Sequence, residues 1–267
     1  MSSFIRNQNL KKRKTGIPIF DTFINTLDNG IFILIKEDEY SYMHNFLLNI
    51  FMSEGVHENE KNLLTVNKDG LPEIYDRIDN LECTEQLSKM YIAWRYKDLR
   101  RKNEECEYSL TNYLEAKHER LLKKDTTLSN IISKLKNTKN FRISLYSLFS
   151  PSYDCENIEK NLYEIRKFIR ENNHICMVSI PTFFYPNINF NQFFDVVLSL
   201  DSNIFTGYLP NYKAILHFEK ISLVNKIREN QIDTFKYGIK FSKNRIIIEK
   251  IDIPPEDIAE SNGCMNF

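Results

Sequence analysis

The stretch that decides the fold runs from residue 31 to residue 51 and reads IFILIKEDEYSYMHNFLLNIF. An apolar run at 31–35 is typical of a buried strand, and the apolar run at 46–51 is typical of a helix. A polar turn connects the two runs. A strand, a turn and a helix in this order open many nucleotide-binding α/β domains, in which the turn binds phosphate. This turn therefore indicates whether the chain can bind a nucleotide.

The turn lacks the residues that hold phosphate. A phosphate loop needs glycines, so that backbone N–H groups can close around the phosphates, and a lysine that reaches the terminal ones. Aligned with the GxxxxGK[ST] pattern, the turn has Glu37 and Tyr42 at the glycine positions, Met43 at the lysine position and His44 at the hydroxyl position. The acidic residues 37–39 would repel phosphate. We expect a nucleotide-binding type of fold without working Walker motifs, and no ATP hydrolysis by the isolated chain.

Composition limits the partners and the compartment. The 267 residues carry 36 basic and 36 acidic side chains, so nucleic-acid binding would have to come from local basic patches. Five cysteines without CxxC spacing predict a reduced, intracellular protein without structural zinc. Neither a signal peptide nor a long apolar span is visible, so no membrane association is expected.

Short apolar runs alternate with helical patterns along the chain. The runs that predict strands lie at 31–35, 63–66, 90–94, 141–148, 174–180 and 194–200. Several lack polar alternation, as strands do when both faces of a parallel sheet are covered. Residues 158–169 have helical periodicity, with Asn157 or Asp154 as the candidate N-cap. The pattern predicts an α/β fold with a mainly parallel central sheet flanked by helices.

The expected domain occupies residues 15–258. Runs at 212–221, 237–240 and 245–251 predict a meander that ends in an antiparallel hairpin. Residues 97–140 are polar and lysine-rich, with weak helical periodicity at 121–135, and are predicted to form an insertion or mobile loop. Residues 1–14 are predicted to be a basic disordered tail, and 259–267 a C-terminal tail. The basic run at 11–14 fits a solvated end as well as a localisation or RNA-contact role.

Several blocks resemble one family. The segment TGIPIFDTFINTLDNGIFILI at 15–35 resembles the start of the RecA and KaiC type of ATPase core, and FDVVLSL, AILHFEKI and YGIKFSKNRIIIEKI resemble its final strands. Within that superfamily, MYIAWRY at 90–96, RISLYSLFSP at 142–151, ICMVSIP at 175–181 and IEKIDIPPE at 248–256 resemble the Elongator complex protein 4 family. The resemblance covers roughly residues 15–256 and is carried by the order of the blocks.

The resemblance implies a RecA-like domain without catalytic, cofactor-binding or metal-binding residues. Tyr146 and Ser147 stand where RecA-like enzymes have Asp-Ser for magnesium, and a phenol is a poor ligand for a hard cation. The family implies a hexameric ring of Elongator subunits four, five and six. That ring binds tRNA for wobble-uridine modification, and a separate catalytic subcomplex performs the chemistry. It also implies the cytoplasm as compartment, with the nucleus as a second one.

Basic residues after the predicted strand 90–94 are the candidate tRNA contacts, because RecA-like rings place central loops there. They are Arg95, Lys97, Arg100, Arg101 and Lys102. The alternative for them is an ordinary solvated face. Trp94 fits a strand end in the core better than a base-stacking site.

Other single residues are expected to be structural. Asp201 fits loop capping better than metal binding, and His44 and His217 fit ordinary core or surface positions. Cys176, within ICMVSI, is expected to be a small core residue.

Two alternative functions remain open. One is a degenerate KaiC or RecA type of ATPase that uses ATP at subunit interfaces. The other is a purely structural scaffold subunit. The substitutions at Glu37 and Met43 speak against the ATPase, although a site supplied by a partner chain would leave no trace in one sequence.

Overall fold

The computed structural model describes residues 13–24, 29–60, 62–67, 72–78, 108–114, 121–122, 128–151, 157–202, 211–221, 236–242 and 244–251. The predicted strand at 90–94, the candidate cap Asp154 and the C-terminal tail at 259–267 lie outside these residues.

The helices and strands alternate along the described chain. The helices are α1 (Pro18–Ile24), α2 (Met43–His57), α3 (Leu128–Asn137) and α4 (Ile158–Glu171). The first strands are β1 (Phe32–Lys36), β2 (Leu63–Val66), β3 (Ile74–Arg77), β4 (Tyr108–Leu114), β5 (Leu121–Leu122) and β6 (Arg142–Leu145). The later strands are β7 (Ile175–Ile180), β8 (Val196–Asp201), β9 (Ala214–Ile221), β10 (Tyr237–Ser242) and β11 (Arg245–Lys250).

Within the described residues, nine strands form one sheet in the order β11-β10-β9-β8-β1-β7-β6-β2-β5. The pairs from β8 to β5 are parallel, and the pairs from β8 to β11 are antiparallel. Strands β3 and β4 form a separate antiparallel pair. The predicted fold class, a mainly parallel sheet with a C-terminal antiparallel hairpin, is confirmed.

Helices cover both faces of the sheet. Ile33 and Ile35 of β1 belong to a core cluster that includes residues of α1 and α2, whereas Phe32 and Leu34 belong to a second cluster with residues of α3 and α4. Successive side chains of a strand point to opposite faces, so β1 contributes to both cores at once. This double burial explains why the run at 31–35 has no polar alternation.

Strand β6 is shorter than predicted. It ends at Leu145, whereas the apolar run suggested a strand up to residue 148. The backbone turns immediately afterwards, with φ of 45° at Ser147 and 62° at Phe149. Ser147 is small and Phe149 is apolar and fully buried. The sequence at 146–149 therefore resembles the continuation of a buried strand.

The segment predicted as a polar insertion contains regular structure. Strand β4 pairs with β3, and β5 pairs in parallel with β2 at the edge of the large sheet. The weak helical periodicity at 121–135 corresponds to the edge strand at Leu121–Leu122 followed by α3 at Leu128–Asn137. Helix α3 packs through Ile131 and Leu135 onto the second core cluster.

The crossover helix α4 has the predicted cap. The side chain of Asn157 accepts a hydrogen bond of 3.1 Å from the backbone N–H of Lys160, which satisfies one of the free N–H groups at the helix start. Of the four apolar positions with helical spacing, Leu162, Ile165 and Ile169 are buried and Ile158 is partly buried against the same core.

The C-terminal hairpin requires a glycine at one position. A Cβ atom on Gly238 of β10 would lie 2.2 Å from the ring of Tyr212, so the aromatic ring packs directly on the glycine backbone. The Tyr212 hydroxyl donates a hydrogen bond of 2.6 Å to Glu249 of β11. Tyr212 thus connects the neighbouring strands across the glycine.

None of the helices in the described segments is long and apolar enough to cross a membrane.

Candidate functional site

The candidate site lies at the carboxyl ends of β1 and β8, in the middle of the large sheet. From β1 the chain passes through α2 to β2 on one side of the sheet, and β8 pairs with β1 from the other side. Crevices form where the strand order reverses in this way, and α/β proteins bind ligands there. The topology therefore predicts that the turn after β1 borders a ligand-binding crevice.

The β1–α2 turn is built without glycine and without a side-chain cap. Helix α2 begins at Met43, and its N-cap residue Tyr42 makes no side-chain hydrogen bond to the helix. The turn is attached to the sheet through the Glu37 N–H, which donates a bond of 3.0 Å to the Ile180 carbonyl of β7. Met43 and His44, at the lysine and hydroxyl positions of the phosphate-loop pattern, are both buried.

An acidic cavity of about 590 Å³ opens beside this turn. Its wall includes five carboxylates, from Glu37, Asp38, Glu39, Asp201 and Glu219. Two aromatic side chains, Tyr40 and Phe183, also line it. The Ser202 hydroxyl donates a hydrogen bond to Asp38, which holds the turn against the end of β8.

Glu37 and His44 form a buried polar pair below the turn. Their side chains are 8% and 6% exposed, and the Glu37 Oε1 lies 3.8 Å from the His44 Nε2. Within the described residues, neither Glu37 Oε1 nor His44 Nδ1 has a hydrogen-bond partner. Burial lowers the pKa of His44, although Glu37 and Asp38 act in the opposite direction. Burial therefore disfavours the charged form of the imidazole.

On the other wall, Lys36 at the end of β1 contacts Glu219 of β9. The Lys36 Nζ lies 2.5 Å from the Glu219 Oε2, and the Asn191 amide donates a second bond of 3.2 Å to the same oxygen. Burial raises the pKa of Glu219, but the Lys36 ammonium and the Asn191 amide outweigh it, so the pKa lies below its ordinary value. The ion pair joins β1 to β9 across β8.

A family model named PAXNEB protein matches this chain over residues 13–119 and 110–266. The chain belongs to the PAXNEB family. It is 25% identical over 151 residues to Elongator complex protein 4 of Drosophila melanogaster, covering 48% of this chain and 34% of the relative. It is 25% identical over 132 residues to Elongator complex protein 4 of Dictyostelium discoideum, covering 45% of this chain and 30% of the relative.

These matches span about a third of the length of the curated relatives. A crystal structure of a KaiC-like protein from the archaeon Pyrococcus horikoshii aligns with a TM-score of 0.49 at 16% identity, covering 90% of this chain and 99% of that protein. The resemblance to the Elongator complex protein 4 family, which the sequence blocks carried, agrees with the names of the two relatives.

In this PAXNEB-family chain, several residues singled out from the sequence are structural. Tyr146, at the magnesium position of the RecA pattern, is buried, and its hydroxyl donates a bond of 2.7 Å to the Asn49 side chain of α2. Cys176 is fully buried in β7, as predicted, and burial raises the pKa of its thiol. Within the described segments, no group of three or more His, Cys, Asp or Glu side chains is placed to hold a metal ion.

Asp201 occupies the end of β8 and lines the acidic cavity. His217 of β9 also lines the cavity, and burial and Lys236 lower its pKa, although Asp201 and Glu219 act in the opposite direction. The candidate tRNA contacts Arg95, Lys97, Arg100, Arg101 and Lys102, together with Trp94, lie outside the described residues, so their roles stay predictions.

Sequence reasoning missed the cavity, because its lining comes from distant parts of the chain. Glu219 lies in an alternating strand, and Phe183 lies in a short 3-10 turn after β7. Nothing in the local sequence connects either residue with the turn at 37–40. The usable signal was the acidic run at 37–39, which was interpreted only as a feature that excludes phosphate.

The Lys36–Glu219 ion pair should make the free energy of unfolding depend on pH. Because the folded-state pKa of Glu219 is below its ordinary value, folding favours the ionised carboxylate. The pair therefore stabilises the chain above the unfolded pKa, and the stabilisation disappears as pH falls through the lower folded pKa. We expect Glu219→Gln to lower the free energy of unfolding by about 1 kcal/mol near neutral pH and by much less below about pH 4.

Chemical denaturation of both proteins across this pH range measures the difference. Glu171→Gln is the matched control, because Glu171 is exposed in the last turn of α4 and its 3.9 Å contact with Lys167 is a surface pair. A difference between wild type and Glu219→Gln that stays constant with pH would contradict the assigned ion pair.

Proposed function

We propose that this chain is a non-catalytic subunit of the Elongator complex. In this proposal it forms a hexameric ring with Elongator subunits five and six, and the ring binds tRNA for wobble-uridine modification by the catalytic subcomplex. The observation that carries the proposal is the PAXNEB-family match across the chain, together with the similarity to two proteins named Elongator complex protein 4. The proposed compartment is the cytoplasm, with the nucleus as a second one.

The geometry of the β1–α2 turn supports a non-catalytic role. Met43, at the lysine position of the phosphate-loop pattern, is 8% exposed and packs in the core cluster. A buried thioether carries no charge for a phosphate, and the neighbouring Glu37 and Asp38 would repel one. The proposal therefore includes no cofactor, and ATP at interfaces belongs to the alternative function.

Assembly and RNA binding are tested in one preparation. The chain is co-expressed with subunits five and six, and native mass spectrometry measures the mass of the intact complex. The expected result is a discrete six-chain species. A monomer that associates with neither partner would refute the proposed ring.

The predicted RNA contacts are tested on the assembled ring. Replacing Arg100, Arg101 and Lys102 with alanine should weaken tRNA binding and flatten the slope of log K against log salt by roughly two to three units, since each phosphate contact releases counterions. The assembly should remain intact. Titration of labelled tRNA at several salt concentrations measures both quantities.

The control removes the same charge elsewhere. Lys160, Lys167 and Lys250 are exposed lysines of α4 and β11, and their triple alanine variant should leave the salt slope within error of the wild type. Identical curves for both triple variants and the wild type would reject the assignment of residues 100–102, and would favour a purely structural scaffold.

A further inference from the structure

His174 is a buried titratable residue that contacts two other elements through its ring. It lies just before β7 and is completely buried. Its Nδ1 lies 3.1 Å from the backbone nitrogen of Phe141, just before β6, and its Nε2 lies 3.0 Å from the carbonyl oxygen of Leu135 in α3. Both ring nitrogens therefore have a backbone partner, one on each side of the turn between α3 and β6.

These two contacts determine where the proton of the ring lies. A backbone N–H can only donate, so the His174 Nδ1 accepts the bond from Phe141 and carries no proton. A carbonyl can only accept, so the Nε2 carries the proton and donates it to Leu135. In the charged ring both nitrogens carry protons. The Nδ1–H would then face the Phe141 N–H, and neither group would have an acceptor.

The same turn has a second attachment beside His174. Leu135 lies in the last turn of α3, where carbonyl groups have no partner within the helix. Its carbonyl also accepts a bond of 3.0 Å from the side-chain amide of Asn172. The Asn172 carbonyl accepts a bond of 2.9 Å from the Asn140 N–H. Asn172 and His174 thus hold both ends of the turn between α3 and β6.

The surroundings of His174 favour the neutral ring. Within the described residues, His174 forms no ion pair with a carboxylate, and burial lowers its pKa more than the bond to Leu135 raises it. The charged residues on the elements packed around it are exposed or have other partners. They are Arg13, Lys136, Lys139, Arg142, Arg170 and Glu171.

We propose that His174 is an acid-sensitive latch, which keeps the turn between α3 and β6 closed as long as its imidazole is neutral. Protonation of Nδ1 replaces the acceptor of the Phe141 N–H with a second donor, so this bond breaks. Rotation of the charged ring toward water then removes the donor from the Leu135 carbonyl as well. The turn opens locally, because α3 and the start of β6 lose these bonds while the ladder between β1, β7 and β8 is retained. The latch does not depend on the proposed function.

The direction of the pH dependence follows from the two states of the turn. In the open turn the imidazole is solvated and has an ordinary pKa of about 6.5, whereas in the closed turn its pKa is lower. The open state therefore binds more protons below about pH 6.5, and its population rises as the pH falls. Each pH unit between the two pKa values changes the opening constant by up to about tenfold. The latch is closed at neutral pH and opens on acidification.

NMR of the imidazole nitrogens tests the assigned proton position on the full wild-type chain. Two-bond correlations between ring protons and ¹⁵N-labelled ring nitrogens report which nitrogen of His174 is protonated. The expected result near neutral pH is a proton on Nε2 and none on Nδ1. A proton on Nδ1, or a ring that is already charged near neutral pH, would overturn the latch. The measurement needs no substitution, so a folding defect cannot obscure it.

Hydrogen exchange measures the opening of the turn. From about pH 7.5 to about pH 5.5, the protection of the Phe141 amide, corrected for the intrinsic exchange rate, should fall by about five- to tenfold. Low concentrations of urea should leave this exchange unchanged, because a local opening exposes little surface, but should accelerate exchange at Leu34 in the centre of the sheet. A Phe141 amide that responds to urea as Leu34 does would mean global unfolding and would reject a local latch.

Two variants assign the pH dependence to His174. His174→Asn keeps an acceptor near the Phe141 N–H but does not titrate, so the protection of Phe141 should become independent of pH. His57→Asn is the control, because the His57 Nε2 also lies 3.1 Å from a backbone carbonyl, that of Tyr75, but at the end of α2. It should leave the change at Phe141 intact. A pH dependence that persists in His174→Asn would overturn the proposal, and the two wild-type measurements decide if this variant does not fold.

Discussion

Replacing Arg142 with methionine should lower the free energy of unfolding by about 3–5 kcal/mol. Arg142 begins β6 and is fully buried. Its Nε and Nη2 donate bonds of 3.1 and 2.6 Å to the two carboxylate oxygens of Glu60, and its Nη1 donates bonds of 3.0 Å to the carbonyls of Lys14 and Phe51. Methionine would leave a nearly buried carboxylate and two carbonyls without these donors.

The packing around Arg142 leaves little room to adapt. Its guanidinium carbon lies 4.6 Å from the centre of the Phe51 ring. A Cβ atom on Gly55 of α2 would lie 2.7 Å from the Arg142 side chain, so the helix passes close to it. The cost of the substitution therefore combines two lost charge-assisted bonds to Glu60, which keeps only a 3.8 Å contact with Arg13, and a disturbed contact between α2 and β6.

Urea unfolding followed by circular dichroism measures the loss. Lys167→Met is the matched control, because Lys167 is exposed and its pair with Glu171 lies at 3.9 Å on the surface, so its loss should stay below about 0.5 kcal/mol. The double variant Arg142→Met with Glu60→Met should recover part of the stability, since it removes the nearly buried carboxylate, while the partly exposed Arg13 loses only a 3.8 Å contact. A single-variant loss below about 1 kcal/mol would contradict the assigned role.

The burial of Arg142 is a feature that the local sequence does not predict. The parallel strands β1, β2, β7 and β8 could be predicted, because their apolar runs report burial on both faces. A charged residue at the start of such a run looks like a strand end facing water. Its partner Glu60 lies 82 residues earlier in the chain, and only the pairing of β6 beside β2 brings the two together.

The same physical limit applies to the candidate site. The absence of a phosphate loop was visible locally, because glycine and lysine are required at fixed spacing within one turn. The acidic cavity was not visible, since Glu219 reaches it only through the antiparallel pairing of β9 with β8. Local patterns predict which strands exist, whereas the side chains that line a crevice depend on the order of the strands in the sheet.

Asp195→Asn is expected to lower the free energy of unfolding by about 2–3 kcal/mol. Asp195 is 3% exposed, just before β8. Its Oδ2 accepts a bond of 3.0 Å from the Phe32 N–H of β1, and its Oδ1 accepts one of 2.8 Å from Arg170 of α4. An amide of the same shape would turn a donor toward either the N–H or the guanidinium, and the negative charge would be lost.

Two further variants separate the bond to β1 from the attraction to α4. Arg170→Met should cost less than about 1 kcal/mol, because the Arg170 side chain is 42% exposed and Arg166 still lies 3.6 Å from Asp195. Glu171→Gln, an exposed carboxylate-to-amide change on α4, should cost less than about 0.5 kcal/mol. If Asp195→Asn cost no more than Arg170→Met, the Phe32 N–H bond would contribute little, and the position of β8 beside β1 would depend on the backbone ladder alone.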